Sequence, residues 1–149
     1  MKKRLGFLRS EEGAELVEFA LVLPLLLLVM LGIAEFGFMF QRYEVLTNAA
    51  REGARIAVLP GYTTADVELR VTTYLTAGRV PTTGTNPVVV VTNQALIVPG
   101  GSTIPMRRVT VTYTYSYMFI RGIGGWFGTA FTTQTLSAVS EMRVEVAGA

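Results

Sequence analysis

Five glutamates, Glu11, Glu12, Glu15, Glu18 and Glu35, stand at the edge of, or inside, the most apolar stretch of this 149-residue chain. A carboxylate in such a place is costly unless something offsets its charge, so the chemistry these residues can do is electrostatic. At a helix N-terminus the macrodipole favours negative charge by a few tenths of a kcal/mol up to about 1 kcal/mol. That accounts for Glu11, Glu12 and Glu15. Glu18 is harder to place, because the apolar run follows it directly. Glu35 comes 17 residues later, roughly 25 Å along a helix, near the outer interface. An interfacial charge beside the headgroups and a partner contact are both open readings of it.

Composition excludes most other chemistry. The chain has no cysteine, hence no disulfide and no thiol or Cys-ligated metal chemistry, and no histidine, the commonest general base and metal ligand. Asp66 is its one aspartate, and its lysines, Lys2 and Lys3, lie on the far side of the apolar run from the rest of the chain. No phosphate-binding glycine loop or paired-carboxylate frame is present. The residues call for no enzyme activity, cofactor or metal. Nucleic-acid binding fails on charge and topology, because the basic excess sits in the first ten residues.

The element that positions the glutamates is a membrane helix. Phe19 to Phe40 holds Glu35 as its only charge, and its roughly 33 Å length matches a bilayer core of about 30 Å. Pro24 falls in its first turns, where a lost backbone hydrogen bond costs least. A removable signal peptide fits poorly. The run is too long for an h-region, acidic residues adjoin it, and no small-residue cleavage site follows promptly. Lys2, Lys3, Arg4 and Arg9 precede the run, so the N-terminus is expected in the cytoplasm and the remainder in the periplasm or at the cell surface.

The stretch Glu11–Gly37, EEGAELVEFALVLPLLLLVMLGIAEFG, followed after a short spacer by Leu46–Val58, LTNAAREGARIAV, resembles the TadE-like family of tight-adherence (Flp-type) pilus systems. More widely, the sequence resembles type IV pilin precursors, which carry a basic leader ending in glycine and a glutamate fifth in the mature chain. The resemblance covers about the first sixty residues well. It implies a minor pilin or pseudopilin needed for assembly of a pilus or related secretion apparatus, with a prepilin peptidase cutting between Gly13 and Ala14. Glu18 is then the fifth mature residue and Phe19 the sixth, and both become assembly residues. Glu18 neutralises an amino terminus, its own or a neighbour's. Phe19 departs from the tyrosine frequent in major pilins and suits a minor component. Gly6, five residues before Glu11, fails as a cleavage site because the apolar run begins too late after it. The implied partners are the membrane, the peptidase, a sister (TadF-like) pseudopilin, the Flp-type major pilin and inner-membrane platform proteins.

Beyond the membrane, Tyr43–Val58 keeps helical period, with Tyr43, Leu46, Ala50, Gly53 and Ala57 on one face. The small residues there permit close approach. Packing on the chain's own sheet is the preferred reading, and a seat for a partner stem at Ala50, Gly53 and Ala54 is the alternative. Pro60-Gly61 ends the helix. Thr63 or Thr64 caps a second one through about Ala77, with Val67, Val71, Tyr74 and Leu75 as its apolar stripe and Gly78 as its stop.

The remainder is rich in threonine, valine and tyrosine. Strands are expected from Val88 towards Val98, over Val109–Tyr117, and from about Thr132 to Val146, with a turn at Pro99–Ser102 and a loop at Thr82–Pro87. The alternating tyrosines fit a half-buried strand better than a stacking platform. Met118–Phe131, with Trp126 and Phe127, is read as a core plug, a membrane contact or a partner contact, in that order. The expected fold is α+β and pilin-like: a long transmembrane helix extended into a stem, a short second helix and an antiparallel sheet of about three strands. The expected segments are a leader at 1–13, helix and stem at 14–58, and a small domain at 59–149. An unprocessed single-pass anchor presenting an adhesive or ligand-binding β domain is the competing account. Cleavage after Gly13 removes four of thirteen basic residues and two of eleven acidic ones. Nine of each remain, so the apparent basicity belongs to the leader.

Overall fold

One helix, α1 (Glu11–Ala57), runs from the acidic cluster through the apolar run into the stem without a break. The computed structural model describes residues 11–119, 121–122 and 132–144. The 47 residues of α1 correspond to roughly 70 Å. The helix starts well before the apolar run, because the dipole favours glutamates in its first turn and Ala14 and Leu16 are good helix formers. Pro24 therefore lies in the helix interior and not in its first turns. It removes one backbone donor there, and the helix continues past it. From Ala14 to Met30 every residue of α1 is exposed. A helix apolar all round and covered by no protein is built for lipid, and α1 is long and apolar enough to cross a membrane.

The stem ends at Ala57, where Leu59 donates back to the Ile56 carbonyl and Gly61 takes a positive φ of 87°. Helix α2 (Thr64–Ala77) then folds back on it. Its N-cap is Thr63. The Thr63 hydroxyl accepts from Asp66 N–H while the Asp66 carboxylate accepts from Thr63 N–H at 2.8 Å, a reciprocal capping box. The Thr63 hydroxyl also donates to the Asp66 carboxylate at 2.7 Å, and that bond first, then the Thr63 N–H, holds the Asp66 carboxyl below its ordinary pKa. Val67, Val71 and Leu75 are buried, but Tyr74 is exposed and lies off the stripe. At the C-terminus Gly78 has an ordinary φ of −77°, and Arg79 takes the left-handed conformation, φ 57°. Val80 donates to the Leu75 carbonyl across that turn. Gly78 is required for a different reason: a Cβ there would collide with the Val45 side chain of α1.

Three antiparallel strands follow in the order β1-β2-β3: β1 (Val88–Ile97), β2 (Thr103–Ser116) and β3 (Thr133–Arg143). Val98–Ser102 turns between the first two, with Gly100 and Gly101 at positive φ. Strand β2 begins six residues earlier than its sharp alternation suggested, because Thr103–Arg108 is paired on both sides, to β1 and, from Met106, to β3. The β-branched run of β1 is buried on one side only: Val89 and Val91 pack on the core while Val88 and Val90 stay exposed. Asn86 extends this edge. Its side-chain amide bonds both backbone groups of Thr114, mimicking one more ladder pair.

The core lies between the sheet and the two helices. Val109, Val111, Tyr113 and Tyr115 of β2, with Leu136 and Ala138 of β3, face Leu46, Ala49, Ala50, Ala54 and Ala57 of α1 and the buried stripe of α2. Tyr43 is exposed and does not belong to this face. Of the residues expected in the last strand or the aromatic segment, Trp126, Phe127 and Val146 lie outside the described residues, as do residues 1–10.

Candidate functional site

The inward stripe of the stem does not stop at Leu46. Stepping back by four, three and four residues along α1 reaches Arg42, Met39 and Glu35. Glu35 is only 1% exposed. Its carboxylate accepts from the Tyr115 hydroxyl at 2.8 Å, from Met118 N–H at 2.8 Å and from Phe119 N–H at 2.7 Å. Tyr115 is the last buried inward residue of β2, so the inward stripes of helix and strand meet at this carboxylate. A buried charge is tolerable only when several donors replace its lost water, and these three supply that. Burial first, and then the Glu35 carboxylate, push the Tyr115 phenol well above its ordinary pKa. The phenol therefore keeps its proton and acts as donor. Tyr117 packs edge-on against Tyr115 with centroids 5.6 Å apart, and Phe38 lies 6.2 Å from Phe119.

Both sequence readings of Glu35 placed its charge outside the fold. The structure instead makes it the clasp between membrane helix and outer domain. The signal was present in the 4-3-4 spacing from Leu46 back to Glu35. It was obscured because a glutamate and an arginine interrupt an apolar stripe. Arg42 likewise turns inward and donates to the Arg79 carbonyl beyond α2.

A second polar tie joins stem to α2. Glu52 accepts from Arg70 through two guanidinium nitrogens, at 2.6 and 3.0 Å, and from Arg55 at 3.1 Å. Arg70 above all holds the Glu52 carboxyl below its ordinary pKa.

The small residues of the stem are filled from within the chain. Ala50 and Ala54 are fully buried, and a Cβ on Gly53 would lie 2.6 Å from Val71 Cγ2 and 3.3 Å from Val109 Cγ1. The surface suggested as a seat for a partner stem thus faces α2 and β2.

The residues at the head of α1 are arranged quite differently. Gly13 and Ala14 lie in its first turn, and Ala14, Glu18 and Phe19 are exposed. No hydrogen bond or ion pair joins the Glu18 side chain to another described residue. Its carboxylate stands on the helix ahead of the lipid-exposed run. The structure therefore brings Gly13, Ala14, Glu18 and Phe19 together on one helical segment, remote from Glu35 and from the stem.

The family model for TadE-like protein matches residues 13–55. Residues 13–55 are TadE-like. The match opens on Gly13 and closes in the stem beside Ala54, so it spans the head of α1, the apolar run and the small-residue face. No curated protein and no solved structure matches the chain. The TadE-like family implies an association with the tight-adherence pilus and is a family of structural pilus components, not of enzymes. Its apolar helix fits a single-pass membrane anchor. Among the described residues, no three acidic, His or Cys side chains gather as a metal ion requires.

Proposed function

We propose that this chain is a minor pilin or pseudopilin of a tight-adherence pilus or related secretion apparatus. It enters the membrane with its N-terminus in the cytoplasm and its outer domain in the periplasm or at the cell surface. A prepilin peptidase cuts between Gly13 and Ala14, leaving a mature helix and stem from residue 14 and a small domain from residue 59. The observation that supports this most is the order Gly13-Ala14, Glu18, Phe19 at the head of one uninterrupted, lipid-exposed helix, where the family match begins. A glycine in a helix's first turn is easily unwound for a protease, since it has the weakest helix propensity after proline and its turn lacks half of its bonds.

Glu18 then neutralises an amino terminus within the assembly, which explains an exposed carboxylate with no partner among the described residues. The sister (TadF-like) pseudopilin, the Flp-type major pilin and the platform proteins are the partners this role requires. The test is complementation in a host with a working tight-adherence apparatus from which this gene has been deleted. The native chain restores surface pili, while Glu18→Ala reaches the membrane and is processed but leaves the cells bald. Full restoration by Glu18→Ala would remove the assembly role.

A further inference from the structure

Two rulers along α1 disagree about where the bilayer ends. Hydropathy carries the apolar run to Phe40, and Phe36 and Phe40 are both more than half exposed, with no protein cover. The outer domain, however, reaches down to Glu35 through Met118 and Phe119. Five residues separate Glu35 from Phe40, about 7.5 Å of helix. The base of the domain and the apolar end of the span therefore occupy the same depth.

We infer that Met118 and Phe119, where the chain leaves β2, sit in the outer leaflet beside Phe36 and Phe38 and form a second membrane contact. Three observations converge on a lipid occupant. Met118 is 65% and Phe119 38% exposed, and both are apolar. They continue the lipid-facing surface of α1 through the Phe38–Phe119 ring contact. Their backbone N–H groups, which could not go unpaired in hydrocarbon, are both given to the Glu35 carboxylate. The same bonds let a carboxylate lie at that depth. Arg42, one heptad beyond Glu35, falls at headgroup level. The domain is thereby seated on the bilayer with a fixed tilt and depth.

The inference rests on the membrane-anchor reading of α1 and on no step of processing or assembly. The chain has no cysteine, so single nitroxide labels can be placed on Met118→Cys, Phe119→Cys, Leu26→Cys and Thr85→Cys. Each full-length variant is reconstituted alone in vesicles of phosphatidylcholine and phosphatidylglycerol. Collision with oxygen and with a water-soluble nickel chelate is then read by spin-relaxation. Labels at 118 and 119 should resemble the one at 26, with nickel access several-fold below that at 85 and oxygen access several-fold above. Nickel access at 118 and 119 equal to that at 85, with 26 still protected, would overturn the seat and leave the anchor standing. That result would assign the aromatic surface to a protein partner. Nickel access at 26 would overturn the anchor, and the seat with it.

Discussion

The phenolic oxygen of Tyr115 stands 2.8 Å from a carboxylate oxygen of Glu35, across 80 residues of sequence. This one contact fixes where the outer domain sits on the membrane helix, because the same carboxylate takes the backbone N–H groups of Met118 and Phe119. Stem and domain also meet through small apolar side chains and through the Glu52–Arg70 and Arg42–Arg79 ties, all of them further along the helix towards α2. A charged acceptor with directed donors sets the register.

Removing the phenol should therefore cost more than its area. Tyr115→Phe is expected to lower stability by about 1.5–3 kcal/mol, the range for a hydrogen bond to a charged group. Glu35→Gln should cost a similar amount, and the double variant less than the sum, with a coupling of at least about 1 kcal/mol. Chemical denaturation of the full chain in detergent micelles, followed by circular dichroism, measures all three. Strict additivity would mean the two residues act independently.

Gly53 tests the packing of the stem. A methyl there would meet Val71 Cγ2 at 2.6 Å, inside contact distance, with Val109 behind it. Gly53→Ala should destabilise the chain by about 1–3 kcal/mol despite the better helix propensity of alanine. Gly37→Ala, whose Cβ would meet nothing, serves as the control and should be neutral or slightly stabilising. Equal effects at the two sites would show that α2 does not press on the stem.

The two shifted groups in polar ties predict opposite pH limbs. Glu52 has a lowered folded pKa, so its contribution is complete above the ordinary carboxylate value of 4.5 and is lost as pH falls through the folded value. The pair is partly solvent-exposed, so that loss should be at most about 1 kcal/mol, and Glu52→Gln should abolish it. Tyr115 has a raised folded pKa. Its contribution is complete below the ordinary phenol value of 10.0 and declines as pH rises beyond it. Stability profiles of the native chain and of Glu52→Gln and Tyr115→Phe, measured in the same micelles, separate the acid limb from the alkaline one.

Much of this arrangement could be read from residues alone. The apolar run from Phe19, the stop at Pro60-Gly61, the cap at Thr63 or Thr64 and the alternation over Val109–Tyr117 each carry a local cause; α1, its end at Ala57, the Thr63 cap and β2 to Ser116 answer to them. What escaped was set by contacts distant in sequence. Gly78 is held against Val45 while Arg79 takes the left-handed turn, and no local pattern of α2 reveals that neighbour. Glu35 escaped for the opposite reason. Its position in the inward stripe is visible at helical spacing, but its partner lies 80 residues away, and no local pattern pairs a helix position with a strand position. Tyr43, expected on the inward face, stands one position off the true stripe, which runs through Arg42.

The proposed role in assembly depends most on processing at the head of α1. The direct measurement is the intact mass and N-terminal sequence of the full chain, purified from membranes with and without a co-expressed prepilin peptidase. A mature chain beginning at Ala14 only when the peptidase is present, and lost on Gly13→Val, is the predicted result. A chain that retains Lys2 to Gly13 with the active peptidase present would contradict it and would leave an unprocessed membrane anchor carrying a small β domain.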